Sequence, residues 1–215
     1  MFENREAAGR LLAAKLKKYK NSKEAIVIAI PRGGIIVGAA IAQKLNLPLE
    51  AISVKKLGAP FNPELAIGAV AQEGNRYIDW VMLRTVNAGD DYVEREVETK
   101  FKEVDERIRK YKIRSDRLLN YSIFILTDDG IATGATTRAA LNVLNNLKPK
   151  RSDKKLIILA VPVISDEVFK QLEGEADEIV VLEKPTDLGA VGQFYNEFNQ
   201  VNDATVLEIL EKLRR

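Results

Sequence analysis

The chain has 215 residues, 46% hydrophobic and 30% charged, with 33 basic and 31 acidic side chains, a net charge of +2, and neither Cys nor His. Such a composition can bury a real core, which argues against disorder or a fibrous fold, and the length suits one domain with appendages. The two missing residue types exclude disulfides, Cys-ligated zinc, Cys nucleophiles, Ser-His-Asp triads and His general bases. Any chemistry must use carboxylates, Lys, Arg, hydroxyls, backbone amides or a hard cation such as Mg²⁺, a set suited to phosphate. The near balance of charge argues against a general nucleic-acid binder. No apolar run approaches the ~20 residues of a membrane span, and MFENREAAGR lacks the layout of a secretory signal. The expectation is a cytoplasmic protein without nucleic-acid or membrane partners.

Residues 2–19 predict a helix that buries Phe2, Ala8, Leu11, Leu12, Leu16 and Tyr19 and turns Arg5, Arg10, Lys15, Lys17 and Lys18 mostly to the other side. Ala25 to Ile30 (AIVIAI) reads as a strand buried on both faces, stopped by Pro31. After Arg32-Gly33-Gly34, a small-residue helix runs from Ile35 to Leu45 and is closed by Asn46 and Pro48, and Leu49 to Val54 gives a second strand. LGAPFNPE reads as a mobile loop, followed by a hairpin over LAIGAVA and RYID. The longest helix, Gly89 to Lys112, repeats Val93, Val97, Phe101, Val104, Ile108 and Tyr111. That spacing suits packing on its own domain, and also allows a coiled-coil contact and a homo-oligomer. Tyr121 to Thr127 is a third buried strand, leading through Asp128-Asp129-Gly130 and Thr133-Gly134 into a helix over Ala135 to Leu147. Strands over Lys155 to Val163 and Glu178 to Leu182 enclose a helix at Asp166 to Glu173, and Asp203 to Leu213 is a last helix. The pattern predicts an α/β fold with a mainly parallel sheet of about five strands flanked by helices, with sites at the strand C-termini.

Phe124 to Thr137, FILTDDGIATGATT, carries the chemistry. A buried strand delivers two carboxylates to the sheet edge, and a small-residue turn opens a helix. Amides at a helix N-terminus make a phosphate cradle, Gly134 permits close approach, and Thr133, Thr136 and Thr137 offer hydroxyl donors. Asp128 and Asp129 would repel a bare phosphate, but can accept hydrogen bonds from sugar hydroxyls or face a divalent cation. Together they suggest a sugar phosphate.

Strand, Asp-Asp and Thr-Gly-x-Thr at this spacing resemble the phosphoribosyl diphosphate motif of type I phosphoribosyltransferases. The layout from AAGRLLA through PRGG, VKKLGAPFNPELAIGAVA and TDDGIATGAT to GQFYNEF is similar to a branch of that family with no assigned acceptor. The resemblance implies that Asp128 and Asp129 engage the ribose hydroxyls and Mg²⁺, within a ribose and 5-phosphate site formed by Asp128, Asp129, Gly130, Ile131, Ala132, Thr133, Gly134, Ala135 and Thr136. It puts the pyrophosphate loop at Arg32, Gly33 and Gly34, with the glycines allowing unusual backbone angles and Arg32 a forked donor. One of Lys55 and Lys56, at the end of the second strand, would also reach the diphosphate. A flexible catalytic loop would span Leu57 to Gln72, and a hood over Lys184 to Phe198 would supply Phe194, Tyr195 and Phe198 to stack on the acceptor or to pack in the core.

The implied organisation is a single domain over 1–215. Its core covers about 22–56 and 120–183, a loop, hairpin and long-helix insertion about 57–113, a hood about 184–200, and a C-terminal helix 203–213. The implied activity is that of a pentosyltransferase of nucleotide metabolism, moving a phosphoribosyl group to a nucleobase-like acceptor and releasing pyrophosphate. Ala132 stands where the 6-oxopurine enzymes have an Asp and resembles the adenine and uracil branches. The adenine branch has a Glu in its flexible loop for the acceptor's proton, and of the loop carboxylates Glu64 and Glu73 here, Glu64 is the candidate. The alternative is a regulatory protein that binds phosphoribosyl diphosphate or a nucleotide on the same fold.

Overall fold

The structure, a computed structural model, describes residues 1–150 and 154–214. In chain order its elements are α1 (Arg5–Lys15), β1 (Ala25–Ala29), α2 (Gly33–Leu45), β2 (Leu49–Ala51), β3 (Val54–Ala59), β4 (Asn62–Ala71), β5 (Arg76–Ile78), α3 (Trp80–Thr85), α4 (Asp90–Tyr111), α5 (Ser115–Leu118), β6 (Ile123–Thr127), α6 (Ala135–Asn146), β7 (Leu156–Val163), α7 (Asp166–Leu172), β8 (Glu178–Glu183) and α8 (Asp203–Leu213). They form two compact units, one of residues 1–51, 114–132 and 147 onward, the other of 52–113 and 133–146. No helix among the described residues is long and apolar enough to cross a membrane.

The first unit is an α/β fold around a five-stranded parallel sheet, as the sequence pattern predicts, and its strand order is β2-β1-β6-β7-β8. β1 is buried along its whole length, so its unbroken apolar run fits a central parallel strand. β1 and β6 pair from Ala25↔Ile123 to Ala29↔Thr127, so both chains leave the sheet at the same level. Helix α2 fits closely because it is built of small residues. A Cβ on Gly38 would lie 2.9 Å from the Ala29 side chain, and one on Gly9 of α1 would lie 2.6 Å from the Val37 carbonyl of α2. Asn46 ends α2 in the left-handed conformation (φ 53°). Two assignments on α1 change: Leu11 is exposed, whereas Arg5 is buried with the apolar residues.

In the second unit β3, β4 and β5 form an antiparallel sheet. The expected second strand therefore ends at Ala51, and Lys55 and Lys56 belong to β3. The segment expected as a loop is a β3–β4 hairpin turning at Pro60 and Phe61. A bulge around Gly58 and Ala59 accommodates Pro63, which cannot donate to a regular ladder. Helix α4 packs Val93, Val97 and Val104, with Phe101 and Ile108, on Leu57, Ala59, Ile67 and Val70 of the sheet. Its apolar stripe is thus used within its own unit. α6, expected in the core, joins this second unit, where Arg138 lies over the Tyr77 ring of β5 and Asn142 donates to the Arg76 carbonyl.

In the first unit an ion pair anchors the end of α8. Glu50 of β2 is 1% exposed, and its Oε1 accepts from Arg214 (2.6 Å) and the Ala51 amide (3.0 Å), while Arg117 of α5 stands 3.8 Å from Oε2. Removing one partner of such a pair strands a buried charge. Arg214→Ala should lower the urea-unfolding free energy by about 3 kcal/mol. Burial raises the Glu50 carboxyl above its ordinary 4.5, against the opposing pull of the Ala51 amide and the two arginines. The folded chain therefore keeps a proton that the unfolded chain releases. The associated stability is complete below 4.5 and is lost as pH rises through the folded value. Unfolding of Glu50→Gln followed against pH should show a flatter slope above 4.5 than the wild type.

Candidate functional site

The register of β1 with β6 decides what meets at the C-terminal edge of the first unit's sheet. Beyond Ala29 the chain runs through Pro31 and Arg32 into α2, and beyond Thr127 it presents Asp128 and Asp129. The Pro31–Arg32 peptide is cis. Gly33 and Gly34 form the first turn of α2 without positive φ, so their role differs from the expected unusual backbone angles. They are needed for contact: a Cβ on Gly34 would lie 2.8 Å from Asp128 Oδ1, and one on Gly33 would collide with the Asp129 carboxylate. Arg32 reaches the first residue of α8, with Nη1 3.7 Å from Asp203.

The two carboxyls have different surroundings. Asp128 Oδ1 accepts from the Asp129 amide at 2.8 Å. Burial, reinforced by the Asp129 charge, raises the Asp128 carboxyl well above the usual range, while the amide and Arg5 pull the other way. Asp129 Oδ2 accepts from Arg5 Nε at 2.7 Å. The Asp129 carbonyl accepts from the Tyr195 hydroxyl at 2.6 Å. Among the described residues no cluster of three or more acidic groups could cage a metal. Mg²⁺ keeps several waters and takes one or two carboxylates together with substrate phosphates. Asp128 and Asp129 are the two carboxyls here that could serve such an ion.

The chain after Asp129 continues along the sheet edge. Gly130 lies under Val191, where a Cβ would be 2.5 Å from a valine methyl, and the Ile131 amide donates to the Val163 carbonyl at 2.9 Å. Ala132 and Thr133 are exposed. Gly134 takes φ 77°, a left-handed angle that favours glycine, and Ala135 and Thr136 then open α6, which lies with the second unit. The structure thus groups Arg32, Gly33, Gly34, Asp128 and Asp129 in the first unit, and assigns Thr133, Gly134, Ala135 and Thr136 to the second together with Lys55, Lys56 and Glu64.

Within the second unit the two lysines point to opposite faces of β3. Lys55 pairs with Glu103 of α4 at 2.6 Å, and Glu103 also holds Lys100. Lys56 donates to the carbonyl (2.8 Å) and carboxylate (3.2 Å) of Glu64 on β4, whose side chain is 93% exposed. Lys56 shares its face with Ala69 and Tyr77, the face that Arg138 of α6 covers.

In the hood, of the two readings open for its aromatics, Tyr195 takes core packing. Tyr195 is buried against Phe2 and Ala8 and offers no free face, because Phe198 stacks on its ring at 5.1 Å. Phe194 is half-buried in the same cluster. Burial and the Asp129 charge push the Tyr195 phenol well above its ordinary range, so it remains a donor. A cavity of about 250 Å³ opens beside Arg5, lined by Asn4, Glu6, Glu197, Asn199, Gln200 and Thr205 among others. Arg5 is the site residue that helical periodicity hides, and Asn199 takes part through its backbone carbonyl, which no side-chain pattern marks. The one local signal is a basic residue in the first turn of α1, where the helix dipole favours acids.

A phosphoribosyl transferase domain model matches residues 2–194. Two curated proteins of Mycobacterium tuberculosis, MT0597 and Rv0571c, named provisionally as phosphoribosyl transferases, are each 37% identical over 219 aligned positions. The alignments cover 100% of this chain and 47% of those proteins, so the chain spans about half the length of these curated relatives. The crystal structure of TT1426 from Thermus thermophilus superposes with a TM-score of 0.76 at 34% identity, covering 100% of both chains. AQ2163 from Aquifex aeolicus shares the fold, with a TM-score of 0.51 at 14% identity over 85% of this chain and 76% of the other.

Tyr195→Phe keeps the ring and leaves the Asp129 carbonyl without its donor. It should lower stability by about 1–2 kcal/mol in chemical denaturation.

Proposed function

The chain belongs to the phosphoribosyl transferase domain family, and from that membership we propose that it binds phosphoribosyl diphosphate with Mg²⁺ and transfers the phosphoribosyl group to a nucleobase-like acceptor, releasing pyrophosphate. The observation that carries this reading is the close contact of the Gly33-Gly34 turn with the Asp128-Asp129 pair at the ends of two parallel strands. One turn can bind the diphosphate through its amides and Arg32, while the neighbouring carboxyls take the ribose.

In this reading Asp128 and Asp129 hold the ribose 2- and 3-hydroxyls, and the amides and hydroxyls from Ala132 to Thr136 hold the 5-phosphate. The bond from C1 to the diphosphate oxygen breaks, the oxygen leaves with the electron pair, and an acceptor nitrogen bonds to C1 through an oxocarbenium-like transition state. Mg²⁺, when bound, neutralises charge on the leaving diphosphate. Arg32 and a lysine stabilise the same charge, and most of the catalysis is positioning and electrostatics. Lys56 is the better lysine for this role, because Lys55 is held by the half-buried Glu103 at 2.6 Å, whereas the carboxylate partner of Lys56, Glu64, is exposed and longer at 3.2 Å. Glu64, on the hairpin arm beside Lys56, is the carboxylate we assign to the acceptor's proton. The cavity beside Arg5, lined by Ile36 and Val201 as well as by polar side chains, is the place we assign to the acceptor.

Calorimetry with phosphoribosyl diphosphate and Mg²⁺, followed by a panel of nucleobases scored for pyrophosphate release, tests the proposal. We expect micromolar binding, turnover with at least one base, loss of turnover in Asp128→Asn and Asp129→Asn, and weakened but still measurable binding in Asp129→Asn. No binding at high micromolar ligand would sink the proposal, and binding without turnover would identify a sensor of phosphoribosyl diphosphate.

A further inference from the structure

Arg5 is placed against local preference. It opens α1 directly after the N-cap Asn4, at the positive end of the helix, and is only 9% exposed. A guanidinium buried there must be held by tertiary partners, and three are present. Nε donates to Asp129 Oδ2 at 2.7 Å, Nη1 donates to the Asn199 carbonyl at 2.8 Å, and the planar group lies 3.6 Å from the centre of the Phe198 ring. Contacts between the residues before α1 and the hood brace this arrangement. The Phe2 amide donates to the Phe194 carbonyl, the Asn196 amide to the Phe2 carbonyl, and the Glu197 amide to the Glu3 carbonyl, at 2.7, 2.8 and 2.9 Å.

We propose that Arg5 is a positioning residue that fixes the Asp129 carboxylate for a ribose hydroxyl and makes sugar binding depend on the hood segment 195–199. The inference rests on the phosphoribosyl diphosphate reading above. Its physical basis is the division of labour on the carboxylate. Arg5 takes Oδ2, so the plane of the carboxyl is set by a fork whose other arm and face belong to the hood. The Asp128 carboxyl hydrogen-bonds the same group, and the ribose hydroxyl takes the acceptor capacity that these two partners leave. A lysine could supply the charge but not the second arm or the planar stack. Arg5 also lines the hood cavity, so a molecule there would touch the group that orients Asp129.

The test is a double-mutant cycle read by calorimetry with Mg²⁺ and phosphoribosyl diphosphate. Arg5→Gln should weaken binding about tenfold relative to the wild type, with Arg5→Lys recovering part of the loss. In the Asp129→Asn background the Arg5→Gln change should cost nothing further, because Arg5 acts through that carboxylate. A structural role would instead add its cost in full. If Arg5→Gln does not fold, Arg5→Lys and Phe198→Ala carry the same cycle, each with a smaller loss that vanishes in Asp129→Asn. Unchanged affinity in folded Arg5 variants, or losses that add to that of Asp129→Asn, would overturn the inference. Failure of the wild type to bind would instead defeat the underlying functional reading.

Discussion

Asp128 and Asp129 stand side by side at the end of a buried strand, where like charges repel and neither carboxyl keeps a full hydration shell. What makes the arrangement tolerable is specific. The Asp129 amide caps the Asp128 carboxyl, Arg5 meets Asp129, and burial drives Asp128 toward its neutral form. The first turn of α2 can then lie directly on both groups, because Gly33 and Gly34 carry no side chain. A pair that cannot easily hold two charges alone is well suited to partners that bring donors or positive charge to it.

That local chemistry depends on packing some distance away. α2 can sit against β1 only because Gly38 leaves room for the Ala29 side chain, and α1 can sit against α2 only because Gly9 leaves room for Val37 and Ala40. α1 is thereby fixed with its first turn at the sheet edge, where Arg5 reaches Asp129. Small residues along one helix thus set the position of a charge on another. A larger side chain at Gly9 would act at the site by displacing the helix that carries Arg5.

The parallel sheet and the Asp-Asp motif are legible because fully buried strands read as unbroken apolar runs, and because two acids ending such a run have no role in core packing. The three-stranded antiparallel sheet reads as a loop and then a hairpin, since Gly58, Pro60 and Pro63 are all turn residues. A bulge absorbs them in the folded chain, and composition does not reveal a bulge. Periodicity puts Arg5 with the solvated residues of its helix because it registers polarity and not the partner that satisfies it. For the same reason Tyr195 is legible as an aromatic in the hood, but its hydrogen bond to the Asp129 backbone is not. Long-range partners of this kind leave little trace in local patterns.

The lysine pair carries this point into the second unit. Lys55 and Lys56 are chemically identical neighbours, and only strand alternation separates them. The register is set by apolar residues: Leu57 and Val70 pack on α4, which turns Lys55 toward the same helix and gives it Glu103 as partner. Lys56 must then face the other way, beside Tyr77 and the helix that Thr133 and Gly134 introduce. A slip of one residue would exchange the two environments. The hydrophobic cluster under the sheet therefore decides which ammonium is held by a structural carboxylate and which faces α6, without either lysine contributing to that choice.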